Sequence, residues 1–382
     1  MDRRRFLAAS TAAVVAATLP CNPATAAMRT RWKIGGSEGY DALSFLSPLS
    51  GDPFYKNFYQ TEVAAFAPRL EPSALAAIAA LKAQAVAEQV LLSPFLDVVF
   101  SGSDHRDIAA LVAAIDEAEQ RLRPPYAASP YWSEENWRRF TRDAPQLRAI
   151  LVAMDKAGFA DFRRRLIAGR LEKRTAELAS TLAGFDVVAE VERFTGRSLD
   201  PVVEVALLHF CKPHGIKVQG QQFLSAIDWP DRIVIRTAGH ELLHPPVVRE
   251  GPAWKAAMAV FAQDPLLARI VAEHDPAFGY NSLDALADED LASALDQIIG
   301  ERLGVARDPA ERWTDVDGGM HILSAAFYGL MQRDGFARTG GDLDAWLLAK
   351  ARQGWLAPPL LHGSAAVILK RPASRLWPPP RG

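Results

Sequence analysis

The chain has 382 residues, of which 49% are hydrophobic and 23% charged, and its formal net charge is -2. This is an ordinary globular balance, long enough for one large domain or two of moderate size, and it argues against a disordered or fibrous chain. Basic residues are interspersed with acidic ones rather than gathered in a tract, so no nucleic-acid partner is expected, and two cysteines are too few for a disulfide scaffold.

Residues 1–26 read as an export signal. Arg3 and Arg4 precede an apolar run over residues 8–19 that is too short for a good membrane span, and Ala24-Thr25-Ala26 offers a small-residue cleavage site. The stretch Arg3-Arg4-Arg5-Phe6-Leu7 resembles the bacterial twin-arginine signal, which implies the Tat export machinery as a partner and a periplasmic or otherwise exported mature chain. No later segment is a continuous apolar run of spanning length, so no stable membrane insertion is expected once the signal is removed. Cys21 leaves with the signal, and Cys211, alone in an apolar run, reads as a core residue.

Residues 28–53 contain Gly35-Gly36 and several Ser and Pro and read as irregular. The pattern then turns helical. Phe54, Phe58, Val63 and Phe66 fall about a turn apart, Pro72-Ser73 opens a helix through Ile78 and Leu81, and Asp104 and Asp107 suit the start of another through Leu111 and Ile115. Pro124-Pro125 interrupts, residues 126–137 are aromatic and loop-like, and a basic helical pattern fills 154–182, its charges read as a solvated face. Residues 27–185 are thus a mainly helical region. The texture changes near Asp186. Stretches 202–210, 216–218 and 232–236 read as short strands, which predicts a small sheet.

Directly after the third of these comes His240-Glu241-Leu242-Leu243-His244, an HExxH pentapeptide. On a helix, positions i and i+4 lie one above the other, so two imidazoles can reach one metal ion. Glu241 lies beside that face and can hold a metal-bound water for activation. Pro245-Pro246 predicts that the helix ends at or near His244. Further helices are expected over 254–261, 265–273, 282–303, 321–333 and 343–351.

A catalytic zinc site takes three protein ligands and leaves a position open. The metzincin extension fails, because Val247 and Glu250 stand where Gly and His are required. The thermolysin-type spacing lands near Gln263. The helix over 284–303 offers Glu289, Asp296 and Glu301. Its Glu289-Asp290-Leu291-Ala292-Ser293-Ala294-Leu295, together with the HExxH, resembles gluzincin-like exported bacterial proteins over roughly residues 200–330. That resemblance implies Glu289 as third ligand, with Glu301 and Asp296 as alternatives. His321, after Gly318-Gly319, and Tyr328 are candidate donors to a developing oxyanion.

The expectation is an α+β fold, predominantly helical, with a small sheet against the HExxH helix and residues 186–382 as a metal-binding catalytic region. The expected function is zinc-dependent peptide hydrolysis, with His240, His244 and Glu289 holding Zn²⁺ and Glu241 as general base on a peptide or protein substrate. A binding or scaffold protein without turnover, and a hydrolase of a non-peptide amide, are the alternatives.

Overall fold

The computed structural model describes residues 28–378, His214 excepted, so the export-signal reading of residues 1–26 lies outside the described residues. Strand β1 (Arg31–Gly36) and helix α1 (Glu38–Leu49) occupy the stretch expected to be irregular. The Ser residues that suggested a loop include a helix cap, since the side chain of Ser37 accepts from the Tyr40 amide. Helices α2 (Leu92–Phe100) and α3 (Glu134–Lys156) follow, with Ser133 capping α3 through the Asn136 amide. Then come β2 (Val202–Leu208), β3 (Ile216–Lys217), β4 (Gln222–Ala226), α4 (Asp231–Glu241), α5 (Leu283–Arg302) and α6 (Ile322–Asp334), with further helices between and after the labelled ones. Among the described residues no single helix is long and apolar enough to cross a membrane.

The architecture is α+β, mostly helical, with one four-stranded mixed sheet in the order β1-β2-β4-β3. β1, β2 and β4 run parallel, and β3 lies antiparallel on β4 at the edge. Two strands expected from sequence, β2 and β3, are present. The third, 232–236, is helix α4. Its β-branched residues favour a strand locally, but Val234 and Ala238 fall one turn apart, Ile235 lies beside them, and all three are buried in the core. Tertiary burial of that face overrides strand propensity. Pro230 and Asp231 stand at the helix start, where a missing amide and an acidic side chain are favourable.

The sheet separates two hydrophobic cores. On β2, Val203, Val205 and Leu207 face one core and Ala206 and Leu208 the other, the period-2 alternation of a strand. On β4, Phe223 faces the first core, and Leu224 and Ala226 the second. Both faces of the central strands are covered, which accounts for the near-continuous apolar run that marks β2 in the sequence. The second core is built from α1, α2, α3 and their neighbours; the first contains α4, α5 and α6. Each fully buried Val, Leu or Phe side chain here contributes about 1.5–3 kcal/mol of transfer free energy.

α4 packs on β4 and β3 on one side and on α5 on the other. The approach of β3 to α4 requires glycine at 215. A Cβ there would lie 2.9 Å from Cγ2 of Thr237 and 3.0 Å from the Trp229 ring. α5 starts at Ser282, whose side chain accepts from the Ala285 amide, and is buried on nearly every side from Leu286 to Gly300. Its polar side chains Asp288, Asp290, Ser293, Asp296 and Gln297 are therefore buried too, and buried polar groups are costly without partners.

Candidate metal centre

α4 ends at Glu241 with Leu242 as its C-cap, three residues before His244. The winding continues as a tighter turn, since the Leu243 amide donates to the His240 carbonyl at 3.0 Å and the His244 amide to that of Glu241 at 3.4 Å. The two imidazoles stay adjacent, with ring centroids 4.7 Å apart and their Nε2 atoms 3.0 Å apart.

The Nδ1 side of each ring faces a carboxylate of α5. Nδ1 of His240 lies 2.7 Å from Oδ2 of Asp296, and Nδ1 of His244 lies 3.3 Å from Oδ2 of Asp288. Asp288 and Asp296 are about two turns apart on α5 and meet histidines four residues apart, one at the end of α4 and one in the turn after it. Each carboxylate has a guanidinium behind it. Nη2 of Arg312 lies 2.8 Å from Asp296, and Nη2 of Arg249 lies 3.0 Å from Asp288. Carboxylates at Nδ1 hold that proton in place and leave the Nε2 lone pairs free to bind a metal.

Glu289 completes the cluster. Its Oε1 is 3.3 Å from Nε2 of His240 and its Oε2 is 3.5 Å from Nε2 of His244. Among the described residues, the donor atoms of His240, His244 and Glu289 form a group lying within 4.8 Å of one another. Zinc with donors at about 2.0–2.2 Å in a tetrahedron separates them by about 3.3–3.6 Å, so the residues present fit such an ion with little movement. Burial disfavours the charged forms, but the pairing is stronger. Glu289 and Asp296 hold His240 well above the usual imidazole range, and His240 and His244, with His321, hold Glu289 below the usual carboxylate range.

Glu241 is buried at 9% exposure and points between the sheet and the cluster. Its Oε2 accepts from the Lys217 amide on β3 at 2.8 Å. Burial raises its carboxyl above the ordinary value, with His240 and His244 opposing. Lys217 closes the arrangement by donating from Nζ to the His244 carbonyl at 2.7 Å.

The centre opens on a cleft of about 1080 Å³. One wall carries Phe95, Tyr131 and Trp132 from the second core; the floor carries His240, Glu241, His244 and Glu289 from the first.

The remaining site candidates lie outside the group of His240, His244 and Glu289 donors. Asp296 meets His240 at Nδ1 and is held by Arg312, outside the group formed by the two Nε2 atoms and Glu289. Glu301 accepts from Gln297 at 3.0 Å and from the Tyr328 hydroxyl at 2.7 Å, away from the imidazoles. That bond occupies Tyr328 as well, which does not line the cleft. His321 is buried between Asp290 (Nδ1, 2.6 Å) and Asp317 (Nε2, 2.9 Å). Burial opposes its charge, but the two carboxylates push it up to about 10, and both of its nitrogens are engaged. It positions Asp317, which does line the cleft.

Tyr280 was not anticipated. It lies in the irregular stretch before α5, lines the cleft, and stands edge-on to the His321 ring with centroids 5.6 Å apart. No periodicity marks Phe278-Gly279-Tyr280 in the sequence. Tyr131 and Trp132 had a signal, as aromatic residues clustered in a loop, but nothing local ties that loop to the HExxH.

No family model, curated protein or solved structure matches the chain.

Proposed function

We propose that the protein is a zinc-dependent hydrolase of peptide bonds with a zincin-like arrangement of sheet and helix. The observation that carries this is the convergence of two Nε2 atoms and one carboxylate, each imidazole held by a buried aspartate, beside a buried Glu241 in an open cleft. Zinc at such a centre polarises a carbonyl and lowers the pKa of water towards neutrality.

The chain's own residues supply the rest. Glu241 has Oε2 fixed by the Lys217 amide, which leaves Oε1 to take the proton of the attacking water and pass it to the leaving amine. Its raised pKa brings it closer to the value such a shuttle needs. Tyr280 offers a hydroxyl on the cleft wall for the developing oxyanion. β3 is an edge strand and its Lys217 borders the cleft, so an extended peptide would lie alongside it, with the Lys217 amide itself already held by Glu241. Export by the Tat route, read from residues 1–26, would place this hydrolysis outside the cytoplasm.

The test is metal content followed by turnover. Purified mature protein should hold one zinc per chain, and Glu241→Gln should keep that zinc while losing peptide hydrolysis by at least about 100-fold. Zinc-free protein after loading and dialysis would overturn the centre; undiminished hydrolysis by Glu241→Gln would overturn the role of Glu241.

A further inference from the structure

The cleft is lined by five cationic side chains, and four of them have partners. Lys217 donates to the His244 carbonyl, Arg249 pairs with Asp288, Arg307 with Asp315 and Arg312 with Asp296. The fifth, Arg236, has no hydrogen-bond or ion-pair partner among the described residues, although it is half-buried. It lies on α4 one turn before His240, on the face that carries His240 and His244. Its surroundings are cationic. Burial weakens its hold on a proton, and Arg312, Arg307 and Arg232 add to that, with Asp296 opposing. A guanidinium kept half out of water near other cations, with no carboxylate in hydrogen-bond contact, is a poorly compensated cost in the free protein. It is also a fork that matches a carboxylate in two hydrogen bonds.

We propose that Arg236 is a specificity-determining residue that receives a carboxylate of the substrate. The inference rests on the peptidase reading above and names the class of peptide that site would take. One helical turn is 5.4 Å, equal to about one and a half residues of extended peptide. With Arg236 one turn from His240, the recognised carboxylate belongs to a residue near the bond that is cut. An acidic side chain and a chain-terminal carboxylate both provide this chemistry.

The test uses full-length mature protein carrying Glu241→Gln, loaded with zinc, so that peptides bind without being consumed. Three peptides of otherwise identical sequence are titrated by calorimetry: one with an internal Glu and an amidated end, one with Gln and an amidated end, and one with Gln and a free carboxylate. The expected result is binding about tenfold tighter for one or both carboxylate forms than for the neutral one. Which form gains identifies the source of the carboxylate. The gain should shrink with added salt, disappear in Arg236→Gln and persist in part in Arg236→Lys. Should Arg236→Gln fail to fold, the salt dependence and Arg236→Lys carry the comparison. Equal binding of all three peptides, or a preference that survives Arg236→Gln, overturns the subsite and leaves the peptidase reading standing. Absence of binding by all three overturns the peptidase reading, and the subsite with it.

Discussion

Three carboxylates of α5 face the imidazoles of His240 on α4 and His244 in the turn after it, and their positions give them different work. Glu289 meets both Nε2 atoms, whereas Asp288 and Asp296 meet the Nδ1 atoms. Removing Glu289 takes a carboxylate from the cluster; removing Glu301 takes a partner from Tyr328, Gln297 and Gln332. Glu289→Ala should weaken zinc retention by at least about 100-fold, and Glu301→Ala should leave it within about threefold, measured by competition with a chelator. Similar retention in the two variants would displace Glu289 from the centre. Among these residues the sequence made the two histidines and Glu241 legible, because the i, i+4 spacing and the intervening Glu are local. The third ligand was narrowed only to one helix. Glu289, Asp296 and Glu301 are all acidic side chains of α5, and what separates them is which imidazole nitrogen, if either, each one meets. An almost wholly buried helix has no polar side from which that could be read.

At the scale of elements, the crossing of α4 and α5 aligns the donors, and the Arg312–Asp296–His240 chain stiffens it. Arg312 also donates to Ser293 and Gln297, so Asp296 is held by a residue anchored to α5 at two further points. Asp296→Asn keeps the shape but loses the charge that fixes the His240 proton. Zinc affinity should fall by about 10–100-fold, with far-ultraviolet circular dichroism unchanged. An unaltered affinity would show that His240 is held by packing alone. The elements themselves were unevenly legible. β2, β3 and α5 announce themselves by apolar runs, turn residues and a Ser cap. β1 did not, since its outward positions are exposed and it ends in two glycines. α4 was half misread, because Arg-Ile-Val-Ile-Arg has the composition of a strand and becomes helix by burying one face against the core.

Across the whole molecule, the core built on α1 to α3 carries a charge-bearing group that the centre does not use. Asp97 is 1% exposed, with Oδ1 unpartnered and Oδ2 at 3.5 Å from the Ser44 hydroxyl. Burial, reinforced slightly by Asp41, raises its carboxyl well above the ordinary value of 3.8, against the Ser44 hydroxyl. The folded chain thus keeps this proton at pH values where the unfolded chain has released it. Stability from this group is complete below the unfolded pKa and declines as pH rises through the folded one. Asp97→Asn should therefore raise the urea midpoint at pH 7 and change it little near pH 4. An equal shift at both pH values would mean that the carboxyl does not titrate in this way.

A sheet with one core on each face also has a mechanical meaning. β2 gives three of its buried side chains to one core and two to the other, and it is joined by β1 from the N-terminal part of the chain. Neither core can lose its packing without stripping one face of the strand that the other requires. The two should therefore melt cooperatively. Trp137 reports on one core and Trp313 on the other. Single-tryptophan variants retaining each should give coincident urea transitions. Resolved transitions would mean that the sheet does not couple the cores, and that the cleft wall carrying Tyr131 and Trp132 can come apart while the floor beneath it is still folded.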